Sequence, residues 1–299
     1  MKPQSLSAVV PAYNEENGIA DVVAGLRRVL EARGLAHEII VVDDGSTDGT
    51  ARRAREAGAR VISHPVNRGY GRSLVTGFVA AQHPWVLMID GDGSYPPQEA
   101  ELLLAAADGF DMVVGVRGGR YFWGSPLQAI LRWIYLTLAG FVVGESIPDA
   151  NSGLRLFRKE AFTGAMPFLC LGYSFSTTMT LSFLQSGRFV RWEPISFVAR
   201  TGRSKVKPLR DILRTLQIMT QVLVYYNPLK LCVSLAAGTL AGGTAAAAAL
   251  AGCGRPASAW VLAGMAACTA VLVFVAGCAI DGLRLHLRGD PARKLLETL

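Results

Sequence analysis

The chain has 299 residues, 51% of them hydrophobic, with a mean hydropathy of +0.32 and a formal net charge of +7. That length admits one large domain plus an appendage, and a basic balance admits nucleic acid, anionic lipid or a phosphorylated substrate as partner. No RNA-binding aromatic motif, zinc-finger spacing or basic helical run is present, so no nucleic acid is expected; the five cysteines (Cys170, Cys232, Cys253, Cys268, Cys278) have no C-x-x-C spacing, which argues against a disulfide framework or a zinc site.

The first residues, MKPQSLSAVVPAYNEE, hold an apolar stretch too short for a secretory signal, and it runs into Pro11. The bulk of the chain is therefore expected in the cytosol. LSAVVPAY (6–13) reads as a buried strand. A helix follows, with Ile19, Val22, Val23, Leu26, Val29 and Leu30 at helical spacing and Gly34 as its stop. HEIIVVDDGS is a second strand ending in acids, TDGTARRAREAG a short helix, ARVISH a strand and GRSLVTGFVAAQ a helix. WVLMIDGD, PPQEAELLLAAADG and DMVVGVR read as strand, helix, strand. Repeated βα units predict an α/β fold whose sheet is mainly parallel with helices on both faces, and such sheets bind ligands at the carboxyl ends of their strands.

Residues 120–145 are strongly apolar but interrupted by Arg132. Only twelve residues separate Arg132 from Glu145, too few to span a bilayer, so a helix lying in the membrane interface is predicted. Residues 208–228, bracketed by prolines, form a second amphipathic candidate, with Tyr225 and Tyr226 suited to headgroup depth. The segments 231–254 and 256–280 carry no charge between them other than Arg255 in the connecting turn, and each is long enough to cross as a helix. Lys230 precedes the pair, and Arg284, Arg288, Arg293 and Lys294 follow it, which places both ends in the cytosol. Gly238-x-x-x-Gly242 and alanines 245–249 permit close packing within the pair or between subunits of a homo-oligomer. The expected organisation is a cytosolic catalytic domain over 1–207, a juxtamembrane helix over 208–228, two transmembrane helices over 229–283 and a basic tail over 284–299.

Asp90 and Asp92 end a buried strand with only Gly91 between them. Like charges at that spacing repel, but a hard divalent cation removes the repulsion, and Mg2+ is commonly held by one or two carboxylates plus substrate phosphates. Three further stretches fall on the same predicted edge: VVPAYNEENGI (9–19), VVDDGSTDGT (41–50) and the glycine-rich NRGYGRSLVTGF (67–78). Glycines there let backbone approach a ligand, and carboxylates accept hydrogen bonds from a base or ribose.

The combination resembles family 2 glycosyltransferases, which have the GT-A fold. The matching pieces are Pro11-Ala-Tyr-Asn-Glu15, Asp43-Asp44-Gly-Ser46, and Asp90-Gly-Asp92 followed by Pro96-Pro97. DANSGLRLFRKEAF (149–162) matches a D-x-x-S-G-x-R-x-F-R pattern and RTGRSKVKP (200–208) matches R-x-x-G-x-S-K. These two narrow the resemblance to the polyprenyl-phosphate glycosyltransferase group, similar to dolichyl-phosphate mannosyltransferase and undecaprenyl-phosphate glucosyltransferase. The resemblance covers about residues 5–215.

The resemblance implies roles. Pro11, Ala12, Tyr13, Glu15, Asp43, Asp44, Asn67 and Gly69 would bind the nucleotide-sugar donor. Asp90 and Asp92, with Gly91 between them, would hold Mg2+ or Mn2+ against the diphosphate. Asp149, Ser152 and Gly153 would shape the sugar and acceptor pocket. Arg117 sits where relatives have an arginine after the fifth strand, Arg200, Ser204 and Lys205 would grip phosphate at the lipid bilayer, and Asp92, Arg117, Asp149, Arg200 and Lys205 would carry catalysis. The implied reaction is inverting transfer of a sugar from a UDP- or GDP-sugar to a polyprenyl phosphate, in a multi-pass protein of a bacterial inner membrane.

Two departures matter. Many relatives have Gln where Ser94 stands. Many that glycosylate sugar hydroxyls carry a catalytic-base carboxylate on a later helix, and here the equivalent stretch, GYSFSTTMTLSFLQSG (172–187), has no acid. A hydroxyl acceptor needs a general base, whereas a phosphate monoester is largely dianionic at pH 7 and needs only positioning and charge compensation. The absent base therefore points to a lipid phosphate acceptor. The competing readings are a membrane glycosyltransferase acting on a sugar hydroxyl or polysaccharide, a non-catalytic membrane scaffold subunit and a dinucleotide-binding oxidoreductase. QAILRW (128–133) has one residue too many for the synthase motif Q-x-x-R-W, and GYGRSL lacks the third glycine of the dinucleotide fingerprint.

Overall fold

The computed structural model describes residues 2–165, 175–198 and 208–288. The chain divides into two compact units, 1–219 and 220–299.

The first unit is built on a seven-stranded sheet of order β3-β2-β1-β4-β6-β5-β7. In chain order its elements begin with β1 (Ser5–Ala12), α1 (Ile19–Ala32), β2 (Ala36–Asp43), α2 (Thr50–Glu56) and β3 (Arg60–Ser63). Then come α3 (Tyr70–Ala80), β4 (Trp85–Met88), a 3-10 turn at Pro97–Glu99, α4 (Ala100–Ala106) and β5 (Met112–Arg117). Strand periodicity sends alternate side chains to opposite faces. Leu6, Ala8, Val10, Ile39 and Val41 join α1 and α4 in one buried cluster. Val9, Ile40 and Val42 join Leu74 and Phe78 of α3 in another. Both faces are covered, as a βα alternation requires.

After β5 the pattern changes. Two helices, α5 (Gly119–Trp123) and α6 (Pro126–Val143), precede β6 (Arg155–Arg158), which inserts between β4 and β5 antiparallel to both. Arg155 pairs with Met88 of β4 and with Val114 of β5. The reversal delivers the segment before β6 to the same edge at which β4 and β5 end. This strand is absent from the sequence reading, which took RLFR only as part of a motif. Then follow α7 (Lys159–Ala165), α8 (Phe175–Gln185) and β7 (Val190–Ile195), the last parallel to β5.

Helix α6 opens with a reciprocal cap: Gln128 N–H donates to Ser125 Oγ (3.4 Å), and Ser125 N–H donates to Gln128 Oε1 (2.9 Å). It packs on α8 through Ala139 and Val142, and Gln185 Nε2 donates to the Val142 carbonyl at 2.7 Å. Its other side is exposed and apolar, with Leu127 at 65%, Ile130 at 57% and Trp133 at 63% exposure.

Helix α9 (Pro208–Tyr226) runs across the boundary between the units. The second unit is a hairpin of α10 (Pro228–Gly252) and α11 (Pro256–Arg288). Asn227 caps α10 by accepting from Lys230 N–H at 3.0 Å, and Gly254 makes the turn with a φ of +76°. Gly243 leaves no room for a β-carbon against Ala266, nor does Gly277 against Cys232, so these glycines form the seam of the hairpin. Gly238 and Gly242 have nothing within 4 Å of such an atom and lie off that seam. Helix α11 continues past the predicted membrane limit at 283, and Arg284 pairs with Asp281 at 2.9 Å while donating to the Tyr226 carbonyl. Among the described residues three helices, α6, α10 and α11, are long and apolar enough to cross a membrane.

Candidate active site

The strand order reverses at β1, with β2 on one side and β4 on the other. Open α/β sheets hold ligands in the crevice outside such a switch point. The loops after β1, β2 and β4 carry the predicted donor-site residues to it.

The first two loops are stitched together. Asn14, with a φ of +53°, donates its N–H to Ser46 Oγ (2.9 Å) and accepts from Thr47 N–H (2.9 Å). Glu15 N–H donates to Thr50 Oγ1 (2.8 Å), and Glu16 Oε2 accepts from Gly49 N–H (2.9 Å). Asp48 accepts from Glu16 N–H (3.3 Å) and Thr50 N–H (3.0 Å). Burial acts to raise the Asp48 pKa, but the Thr50 and Glu16 donors outweigh it and hold the carboxyl below the ordinary aspartate value. Pro11 and Ala12 are buried at the strand end, and Tyr13 and Glu15 are half-buried beyond it.

The two acids of the second loop serve the backbone. Asp43 accepts from Ser46 N–H (3.1 Å). Asp44, almost fully buried, accepts from Arg68 N–H (2.9 Å), Gly69 N–H (2.7 Å) and His64 Nδ1 (2.7 Å). Nδ1 faces the carboxylate, and Nε2 lies 3.0 Å from Thr76 Oγ1. Asp44 thus ties down the glycine-rich loop. That loop needs a glycine at 69, where φ is +94°. Asn67 is exposed on it.

At the end of β4, Tyr70 donates its phenol proton to Asp90 Oδ1 at 2.7 Å. Gly153 lies against the same carboxylate, so close that a β-carbon there would collide with it. Gly153 N–H in turn donates to the Tyr95 hydroxyl at 2.7 Å. Burial pushes the Tyr95 phenol well above its ordinary range, so it stays protonated. Gly91 backs onto the Pro11 carbonyl. Asp92 Oδ1 accepts from Ser94 N–H (3.0 Å) and Ser94 Oγ (2.6 Å), so the residue in place of the relatives' Gln braces Asp92. Among the described residues no group of three or more His, Cys, Asp and Glu side chains gathers to cage a metal. Two hard carboxylates without further protein ligands suit Mg2+ or Mn2+, which completes its shell with substrate phosphates.

The third component comes from β5 and the turn before β6. Arg117 donates from Nε to Asp149 Oδ2 (2.7 Å) and from Nη2 to Oδ1 (2.9 Å), and its N–H also reaches Oδ2 (3.2 Å). Burial acts to lower the Arg117 pKa, but the hydrogen-bonded Asp149 carboxylate outweighs it, and the group stays charged. Its guanidinium lies 5.2 Å from the Phe122 ring and 5.4 Å from Phe197. Arg132, from α6, stacks on Phe122 at 4.1 Å. Its Nη1 is buried and has no hydrogen-bond partner among the described residues. Two guanidinium groups thus share one ring.

Behind them, the fully buried Arg155 donates to the carbonyls of Ser152 (2.8 Å) and Ala150 (2.8 Å) and to Thr180 Oγ1 (2.7 Å). Ser152 is fully buried within this turn, and Ser152 Oγ accepts from Leu154 N–H. Helix α8 supplies buried hydroxyls, Ser176, Thr177, Thr178, Thr180 and Ser182, and no acid. Thr177 serves Asn151 and Tyr135.

The structure therefore brings together Asp90, Asp92, Gly153, Arg117 and Asp149. Arg200, Ser204 and Lys205 lie outside the described residues, as does Cys170; the chain before them is fixed by Val198 N–H donating to the Ser94 carbonyl (3.1 Å). Sequence reasoning missed Tyr70, Tyr95, Arg155 and Arg132 as site residues. Arg132 had a signal, an isolated charge in an apolar helix, but it was used only to limit the span.

Residues 7–164 match Glycosyl transferase family 2. The chain belongs to that family. Among its family 2 relatives, glycosyltransferase AglJ of Haloferax volcanii is 31% identical over 217 residues, covering 70% of this chain and 69% of that protein. The undecaprenyl-phosphate 4-deoxy-4-formamido-L-arabinose transferase of Salmonella paratyphi B is 31% identical over 163 residues, 52% of this chain and 49% of that protein. The chain thus spans about half the length of the latter. Glucosyl-3-phosphoglycerate synthase from Mycobacterium tuberculosis, in complex with Mn2+, UDP-glucose and glycerol 3-phosphate, superposes with a TM-score of 0.55 at 25% identity, over 74% of this chain and 78% of that one. The catalytic unit is a GT-A fold of family 2, followed by apolar helices.

Proposed function

We propose that the protein transfers a sugar, with inversion, from a nucleoside-diphosphate sugar to a polyprenyl phosphate at a membrane surface. The observation that carries this reading is Arg132 Nη1, a buried donor without a partner among the described residues, stacked beside Arg117 over Phe122. A buried unsatisfied donor costs about 1–3 kcal/mol, and of the two adjacent guanidinium groups Arg117 is the one that pairs with a carboxylate, Asp149, among the described residues. The cluster calls for an anion, and guanidinium forks suit phosphate. The neighbouring wall, α8, offers neutral hydroxyls where a general base for a hydroxyl acceptor would stand. A phosphate acceptor is already a nucleophile and needs none.

Donor handling follows from the switch-point loops. Asp90 and Asp92 would hold Mg2+ or Mn2+, which when bound neutralises the diphosphate leaving group. Ser94 and Gly153 fix the two carboxylates. Asp149 aims Arg117, and the lipid phosphate attacks the anomeric carbon as the nucleoside diphosphate departs. Arg200, Ser204 and Lys205 are assigned to phosphate by their motif. The Salmonella relative's undecaprenyl-phosphate substrate and the Mn2+ and UDP-glucose bound by the mycobacterial protein support both halves of this reading.

The exposed apolar side of α6 suits an interfacial position, since the helix packs on α8 and carries Arg132 toward Phe122 while Trp133 faces outward. Helices α10 and α11 would cross the bilayer with both ends cytosolic. The arrangement would hold the site beside a substrate confined to the membrane, raising effective concentration.

The test is transfer from labelled UDP- and GDP-sugars to undecaprenyl phosphate with Mn2+ or Mg2+, for wild type and Asp92→Ala. Metal-dependent lipid product from one donor, lost in the variant, supports the reading. Folded, nucleotide-binding protein that makes no lipid product from any donor overturns it.

A further inference from the structure

Consecutive residues of the glycine-rich loop are tied to two acidic strand ends. Asp44, closing β2, accepts the N–H groups of Arg68 and Gly69 at 2.9 and 2.7 Å. Asp90, closing β4, accepts the phenol of the next residue, Tyr70, at 2.7 Å. On its other side the Asp90 carboxylate meets Gly153, where even a methyl group would not fit. The carboxylate is therefore gripped between a phenol from α3 and a bare backbone from the turn before β6.

We infer that Tyr70 is a positioning residue for the divalent-cation and diphosphate site: its hydroxyl fixes the Asp90 carboxylate in the orientation that the metal–nucleotide complex requires. A carboxylate without such a donor rotates about its side-chain bonds, and that freedom must be lost when a cation binds. Hydrogen bonds of this kind to ligating groups typically contribute about 10–100-fold in metal affinity. Because Asp44 and Asp90 hold adjacent residues of one loop, the phenol also links the nucleotide side of the crevice to the metal side. The contact uses only the oxygen of Tyr70; its ring packs with the buried cluster around Phe78 and would stay in place in phenylalanine.

This inference rests on the reading of Asp90 and Asp92 as metal ligands, so the test separates the two. Free Mn2+ is titrated by electron paramagnetic resonance against the full-length protein in detergent with UDP and, separately, GDP, for wild type, Tyr70→Phe and Asp92→Ala. Thermal midpoints are measured alongside. The expected result is nucleotide-dependent Mn2+ binding by wild type, its loss in Asp92→Ala, and a dissociation constant about tenfold or more higher in Tyr70→Phe at a nearly unchanged midpoint. Tyr70→His, which restores a donor, recovers part of the affinity. Equal Mn2+ affinity in wild type and Tyr70→Phe overturns the positioning role while leaving the metal reading intact. A Tyr70→Phe protein that loses its fold, with Tyr70→His folded yet as weak as Asp92→Ala, also overturns it, because the residue would then be structural. Absence of Mn2+ binding by wild type with either nucleotide removes the metal reading, and the inference with it.

Discussion

The backbone of Gly153 is packed directly against the carboxylate of Asp90, although Gly153 lies 63 positions after Asp90 in the chain. The contact exists because β6 enters the sheet antiparallel between β4 and β5, beginning where those strands end. One consequence is that the turn containing Asp149 and Gly153 and the acidic end of β4 form a single wall.

Gly153→Ala should therefore disable the site while leaving the fold. The added methyl group must displace Asp90 or the turn, and a displacement of about 1 Å can cost on the order of 100-fold in rate. The check is kcat/KM for sugar transfer together with a thermal midpoint. Wild-type kcat/KM in this variant would show that Asp90 needs no fixed position.

Arg132→Gln should weaken the acceptor and spare the donor. Losing one charged hydrogen bond to phosphate corresponds to about tenfold in half-saturating lipid phosphate. The KM for the nucleotide-sugar should not change. Steady-state kinetics with each substrate varied in turn make the comparison, and a rise confined to the donor KM would contradict the assignment.

Asp149→Asn should lower both stability and kcat. The Arg117–Asp149 pair is two-pronged and largely buried, with 17% and 2% side-chain exposure. Breaking such a pair leaves a poorly compensated buried cation and costs about 3 kcal/mol. Thermal unfolding in detergent reads the first effect and turnover the second. A variant with wild-type midpoint and turnover would show the pair to be dispensable.

Asp48→Asn should lower the thermal midpoint at neutral pH but not in acid. The folded-state pKa of Asp48 lies below its unfolded value, because the Thr50 and Glu16 donors outweigh burial. Its contribution is complete above the ordinary aspartate range and is lost as pH falls through the lower, folded value. The gap between wild type and variant should thus be full at about pH 7 and shrink below about pH 4. A gap that persists unchanged into acid would place the effect in packing rather than in charge.

Much of this was legible in the sequence. The alternation of apolar runs and amphipathic segments gave the order of elements up to β5, because local periodicity records which side of each element is buried. Two uncharged spans likewise announced α10 and α11. Asp90, Asp92, Asp149 and Gly153 were named through motif patterns. The geometry that joins them was not. RLFR is only four residues long and flanked by arginines, and its place between β4 and β5 depends on pairing far along the chain. Tyr70 and Tyr95 carried no signal in the sequence, since nothing local records which carboxylate or backbone group a phenol will meet. Asp44 was expected to face the nucleotide, and the structure shows its oxygens already accepting from His64 and the glycine-rich loop.

The central claim is that the acceptor is a phosphate, handled by arginines without a general base. The most direct measurement offers the purified protein, in lipid vesicles with its preferred labelled donor, undecaprenyl phosphate in one reaction and undecaprenol in another. The account predicts labelled lipid from the phosphate alone, with Arg132→Gln slowed at low acceptor concentration. Product from the alcohol, or from a sugar hydroxyl acceptor, with none from the phosphate would contradict it.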